Sequence, residues 1–196
     1  MSALRRLCVF CGSSVGERPE YAARARELGR ELAQRGVGIV YGGGNVGLMG
    51  VLADEALAAG GEVTGVIPYG LVVREVAHAH LTRMHVVRSM HERKARMAEL
   101  ADGFVALPGG YGTFEELLEI VTWAQLGMHA KPIVVLDVAD YYAPLFQLLD
   151  RGVAEGFLRR ENRALVQRAR TVPELFDLLE RHTPHAVEKW IDRETS

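Results

Sequence analysis

Apolar and polar positions along this chain follow two periods in turn. Short apolar runs rich in Val, Ile and Leu occur at Leu7–Cys11, Val37–Tyr41, Glu62–Ile67, Met84–Val87, Gly103–Leu107 and Pro132–Asp137. Each is too short for a helix, and all but Met84–Val87 meet a Gly or Pro, so each predicts a buried strand. Between them lie longer segments with apolar residues three and four apart, which predict helices. These are Glu20–Gln34 (apolar near 22, 25, 28, 32 and 33), Leu48–Ala59, Ser89–Ala101, Thr113–Leu126, Tyr141–Glu155 and Pro173–Arg181. A last strand is expected near Ala169–Val172, and the tail Pro184–Ile191 also reads as helical. The stretch Tyr69–Leu81 fits neither period. Fully apolar strands alternating with amphipathic helices imply a parallel sheet covered on both faces. The expected fold class is α/β: one Rossmann-like, doubly wound parallel sheet of about seven strands. Residues 1–196 are read as one nucleotide-binding domain whose last ~12 residues form a tail. In such sheets ligands bind outside the carboxyl ends of the strands.

Composition narrows this picture. The chain has 196 residues and 21.6 kDa, with 48% hydrophobic and 24% charged residues, the balance of one globular domain. Glycine is in excess: 21 of 196, about 11% against a usual ~7%. With no collagen-like period, the excess must sit in particular loops. A net charge of −2 leaves no basic surplus for a phosphate backbone, so no nucleic-acid partner is expected. No apolar run reaches the ~18 residues of a membrane span, and no membrane partner is expected. The N-terminal apolar run is too short for a secretory signal, which points to the cytoplasm. The cations are 20 Arg and three Lys, Lys94, Lys131 and Lys189, so any lysine-based chemistry has three candidates.

Cys8 and Cys11 form a CxxC. In a strand, residues three apart point to opposite faces, so two buried structural thiols fit better than a redox dithiol. There is no second pair for zinc. His78, His80 and His85 carry no fixed carboxylate partner; no metal and no cofactor is expected.

All three glycine-rich loops follow strands. Gly12-Ser13-Ser14 follows the first. Gly42-Gly43-Gly44-Asn45-Val46-Gly47 follows the second and matches G-x-G-x-x-G. Its place on the second strand, and a third strand ending Ile67-Pro68 without an acidic ribose ligand, favour a mononucleotide or sugar phosphate over a dinucleotide. A tight turn is the plain alternative. Pro108-Gly109-Gly110-Tyr111-Gly112-Thr113-Phe114-Glu115-Glu116 leads from the fifth strand into a helix whose N–H groups can meet an anion. Thr113-x-x-Glu116 also reads as a capping box, which asks no catalytic role of Glu116. Ser89-x-x-Glu92 is a second one. Arg93 and Lys94 follow it near the positive end of the helix dipole, unfavourable by roughly 0.3–1 kcal/mol unless an anion sits there. Lys94 shares a stripe with Met90, Met97 and Ala101 and so leans toward the core. The helix Phe114–Met128 is apolar on more than one side, which suggests a homodimer through helix 113–128.

Taken together, PGGYGTFEE at Pro108–Glu116, MHERKARM at Met90–Met97, GGGNVGLMG at Gly42–Gly50 and Thr122-Trp123-Ala124-Gln125-Leu126-Gly127 resemble the Lonely Guy family of cytokinin riboside 5′-monophosphate phosphoribohydrolases. The motifs spread over most of residues 6–137. The resemblance implies a dimer that binds an adenosine-type 5′-monophosphate, cleaves its N-glycosidic bond and needs no cofactor. It makes Arg93 and Glu116 the catalytic pair. It places Glu75, Lys94, Gly110, Tyr111, Gly112, Thr113, Phe114, Glu115 and Thr122 on the substrate, with Gly12, Ser13, Ser14, Gly43, Gly44 and Gly47 as phosphate or nucleotide loops. Relatives often carry a lysine decarboxylase label, which three lysines in a short chain argue against. The runner-up is a non-catalytic nucleotide or cofactor carrier of the same fold, which would lack the Arg/Glu pair.

Overall fold

Alternate residues of each central strand enter different cores. Leu7, Val9 and Cys11 face one way and Cys8 and Phe10 the other, as the two-residue repeat of a strand requires. The computed structural model describes residues 4–72 and 77–183. Its elements run β1 (Arg6–Phe10), α1 (Pro19–Gln34), β2 (Gly38–Tyr41), α2 (Gly47–Ala58), β3 (Val63–Pro68), α3 (Tyr69–Val72), β4 (Arg83–Val87), α4 (Met90–Leu100), β5 (Gly103–Ala106), α5 (Tyr111–Gln125), β6 (Ile133–Leu136), α6 (Ala143–Ala154), α7 (Arg160–Arg163), β7 (Val166–Ala169) and α8 (Val172–Glu180).

The seven strands form one parallel sheet in the order β4-β3-β2-β1-β5-β6-β7. Leu28, Leu32, Leu52, Leu175 and Phe176 of α1, α2 and α8 pack on one face. Met97, Leu117, Ile120 and Phe146 of α4, α5 and α6 pack on the other. This is the doubly wound α/β arrangement expected from the sequence. The chain walks outward from β1 to β4, then returns to place β5 against the opposite side of β1. The direction therefore reverses between β1 and β5. The loops leaving those two strands diverge there and open the crevice in which such sheets bind ligands.

Three local features differ from the sequence pattern. β7 spans Val166–Ala169, earlier than the expected Ala169–Val172. As an edge strand it tolerates the half-buried Gln167 and Arg168, which hide its periodicity, and Val172 belongs instead to the first turn of α8. The Thr171 hydroxyl caps that helix, accepting from the Glu174 N–H at 3.3 Å. The short helices α3 and α7 carry too few residues to show a period. The tail Pro184–Ile191 lies outside the described residues.

Both cysteines are buried and free. They lie in different cores, Cys8 in one and Cys11 in the other, so the pair cannot close into a disulfide without breaking β1. Burial pushes both thiols up in pKa, which suppresses the thiolate that reacts. Native protein should therefore leave a thiol reagent such as Ellman's unreacted, with both thiols appearing together on unfolding. Reductant should not move the melting temperature. Rapid labelling of the native state, or a reductant-sensitive melt, would contradict the assignment.

Candidate active site

The carboxyl edge of the sheet is built by interlocking glycines. Gly12 donates its N–H to the Pro108 carbonyl and accepts from Leu48 N, both at 3.0 Å, tying the loops after β1, β5 and β2 together. Gly47 has φ +61°, and a Cβ there would collide with the Ser13–Ser14 backbone, so only glycine serves. Gly43 accepts from His78 N at 2.9 Å, and Gly44 bridges to Ala77. The glycines of this loop are thus largely spent on packing, while the exposed Ser13 and Ser14 keep the crevice side.

Gly42 has the most specific task. A Cβ on it would overlap the Arg93 Nη2 position. Arg93 comes from the first turns of α4, where the Ser89 hydroxyl accepts from Glu92 N at 3.1 Å and the Glu92 carboxylate accepts from Arg88 N at 2.8 Å. Its Nε donates to the Val66 carbonyl at 3.1 Å. That leaves Nη2 facing the Glu116 carboxylate at 3.4 Å, with both side chains about nine-tenths buried. The fork is fixed by β3 at one end and Glu116 at the other, with no room to turn past Gly42.

Glu116 is not a cap. α5 begins at Tyr111 after an extended Gly110, earlier than the expected Thr113, and no side chain caps it. Thr113 lies inside the first turn, buried, with its hydroxyl against Gly109. The capping-box reading of Thr113 and Glu116 is therefore corrected. With α5 starting two residues sooner, Glu116 lies in its second turn, on the buried face opposite Arg93. Burial raises the Glu116 pKa, the Arg93 charge opposes that, and Glu115 adds to it.

The anions beside the two α4 cations are protein carboxylates. The Lys94 ammonium is buried and pairs with Glu115 and, at 3.0 Å, with Glu119 of α5. Burial depresses its pKa, but bonds to the two carboxylates outweigh this and the net shift is upward. Tyr111 and Gly112 are exposed at the mouth, and nothing stands where a Cβ of Gly110 or Gly112 would lie. Phe114 packs on Tyr141, ring centroids 6.3 Å apart, and on Tyr142 at 6.1 Å. Thr122 is exposed about three turns along α5, and its hydroxyl donates to its own helix at Leu118 O, 2.7 Å. Within one chain it does not converge with Arg93 and Glu116. Glu75 lies outside the described residues. His78 spends its ring on Asp54 Oδ1 (3.0 Å) and His80 N (3.2 Å), and His85 sits apart on β4.

Sequence reasoning missed the brace under the Pro108–Gly110 loop. Tyr141 donates to Gly109 O and Tyr142 to Leu107 O (2.8 Å). Both follow a turn in which Ala139 and Asp140 take positive φ. Asp137 holds it by accepting from Tyr142 N at 2.8 Å and from Arg168 Nε at 2.7 Å. The one available signal was position: this turn follows β6 and so falls on the same sheet edge.

With that geometry in place, the resemblances are specific. The cytokinin riboside 5′-monophosphate phosphoribohydrolase LOG of Oryza sativa subsp. japonica is 48% identical over 183 residues, 93% of this chain and 76% of that protein. The LOG7 enzyme of Arabidopsis thaliana is also 48% identical over 183 residues, covering 93% and 84%. The chain belongs to this family. Residues 49–179 also match a family described as "Possible lysine decarboxylase". A molybdenum cofactor carrier protein from Chlamydomonas reinhardtii shares the fold, with a TM-score of 0.67 at 21% identity over 91% of this chain and 97% of that one.

The raised Glu116 pKa has a consequence for stability. An unfolded glutamate ionises near 4.5. The native one holds its proton to higher pH, so its own contribution to stability is greatest below 4.5 and falls as pH rises through the native value. Glu116→Gln removes that cost. Its melting temperature should exceed the parent's at pH 7, with the gap closing toward pH 4.5. A lower melt at pH 7 would mean that the Arg93 pairing outweighs burial.

Proposed function

We propose that this phosphoribohydrolase-family chain hydrolyses the N-glycosidic bond of adenosine 5′-monophosphates, N6-substituted or plain, releasing free base and ribose 5-phosphate. The observation that carries the reading is the buried Arg93–Glu116 pair at the carboxyl edge, together with close kinship to named phosphoribohydrolases. Loss of a purine from ribose passes through an oxocarbenium-like state. A carboxylate beside the anomeric carbon stabilises that charge and takes a proton from the attacking water. Glu116, with its pKa raised by burial, is a stronger base than an exposed glutamate. Arg93 offers a fixed cation, either to the departing base or to the 5′-phosphate. The Gly110–Thr113 turn, the Ser13–Ser14 loop and the uncapped start of α5 are suited to the sugar phosphate. Glu75 and Thr122 are assigned to the substrate by family resemblance. We place the protein, one nucleotide-binding unit, in a reducing cytoplasm, which suits its two buried thiols.

Lysine decarboxylation fits these residues poorly. A lysine that carries a Schiff base needs a free amine. Lys94 is doubly ion-paired, and Lys131 donates to Ala98 O at 2.7 Å, next to the start of β6 on the opposite edge. Lys189 lies outside the described residues.

The test is release of free base from AMP and isopentenyladenosine monophosphate, followed by chromatography. Arg93→Ala and Glu116→Ala should fold normally and lose at least about a hundredfold in kcat/KM, the lower range for a catalytic acid or base. Gly42→Ala should lose comparably, because it displaces the guanidinium. A kcat defect in Arg93→Ala assigns Arg93 to the leaving base, and a KM defect assigns it to the phosphate. Tight nucleotide binding by the parent without base release would favour a carrier instead.

We further propose a homodimer through helix 113–128. Leu118, Leu126 and Met128 are exposed along and just beyond α5, apolar groups that a second copy could cover. Light scattering should give twice the chain mass, and Leu118→Glu should reduce it to one. A monomeric parent would sink the dimer.

A further inference from the structure

α4 and α5 meet across five charges. α4 contributes Arg93 and Lys94; α5 contributes Glu115, Glu116 and Glu119. The contacts divide them cleanly. Arg93 faces Glu116, and Lys94 is held by Glu115 and Glu119. Lys94 is 6% exposed, and its ammonium is turned toward α5. Glu119 Oε2 is buried without a hydrogen-bond partner, so Lys94 supplies the one hydrogen bond seen to its carboxylate, through Oε1. Two cations against three carboxylates leave a single net negative charge, and the most buried of the carboxylates is Glu116.

We propose that Lys94, with Glu115 and Glu119, is a charge cage that balances Glu116 and orients α5 toward Arg93, so that Lys94 is a positioning residue and not a ligand of the substrate phosphate. This rests on the hydrolase reading for its purpose but not for its geometry. Without Lys94, two like charges on α5 would bear on Glu116 with only Arg93 to oppose them. In a partly desolvated site such charges act strongly. The groups that act on Glu116 are Arg93 and Lys94 from α4 and Glu115 and Glu119 from α5. Cys8 in β1 and Cys11 just after it also feel its charge, and they stay neutral. Removing Lys94 raises the affinity of Glu116 for its proton; removing Glu119 lowers it.

The test reads Glu116 directly and does not depend on turnover. The full chain is labelled with carbon-13 at the glutamate carboxyls, and the Glu116 signal is assigned by its loss in Glu116→Gln. Its titration is then followed in the parent, Lys94→Met, Glu119→Gln and the double variant. The cage predicts about tenfold tighter proton binding in Lys94→Met, a midpoint about one pH unit higher. Glu119→Gln should shift it the other way, and the double variant should return toward the parent. If Lys94→Met does not fold, Glu119→Gln alone carries the sign. An unmoved midpoint in the soluble variants overturns the cage. In base-release kinetics, the cage predicts that Lys94→Met moves the acid limb upward with KM changed less than about threefold. A tenfold rise in KM with the limb in place would return Lys94 to the phosphate and overturn the proposal. A parent that releases no base at any pH would refute the hydrolase reading while leaving the titration result intact.

Discussion

Much of this carboxyl edge is arranged around one contact, the buried ion pair between Arg93 and Glu116. Such a pair is costly to desolvate and weak as a stabiliser, so the fold must hold it in place from outside. β3 supplies a carbonyl to the guanidinium, the loop after β2 supplies a glycine where a Cβ would evict it, and α5 carries Glu116 on its buried face. A site that retains an ionisable carboxylate against its own burial is the usual mark of chemistry rather than of packing.

The second constraint is where the sheet reverses. Because β5 returns beside β1, the loops after both strands part at the carboxyl edge. The glycines then let those loops touch each other directly: Gly12 meets Pro108 and Gly109, and Gly47 meets the Ser13–Ser14 backbone. The tyrosines at the head of α6 hold the Pro108–Gly110 turn from below. The result is a braced lip in which Gly110 and Gly112 have open space beside them. A braced turn leading into an uncapped helix start suits a phosphate, because less ordering remains to be done on binding.

The same helices show why adjacent residues can have separate tasks. Arg93 and Lys94 are neighbours in sequence but about 100° apart around α4. One therefore reaches Glu116 at the sheet edge, and the other reaches the outer carboxylates of α5. The apparent misplacement of two cations near the positive end of a helix is resolved by the acidic side of α5.

The sequence by itself determined the order of strands and helices, the parallel sheet covered on both faces, the split of Cys8 and Cys11 between two cores, and the address of the glycine excess. These follow from short-range periodicity and from the conformational freedom of glycine, which are written locally. It also singled out Arg93 and Glu116, although the spacing Thr113-x-x-Glu116 equally fitted a cap. Only the tertiary structure excluded the cap, because the start of α5 depends on how Gly109 packs against Gly12. It alone showed that Lys94 is claimed by Glu115 and Glu119, that Gly42 exists to admit Arg93, and that Asp137, Tyr141 and Tyr142 brace the loop. Each of these joins residues far apart in the chain, and no local pattern records which side chains will meet once the sheet is wound.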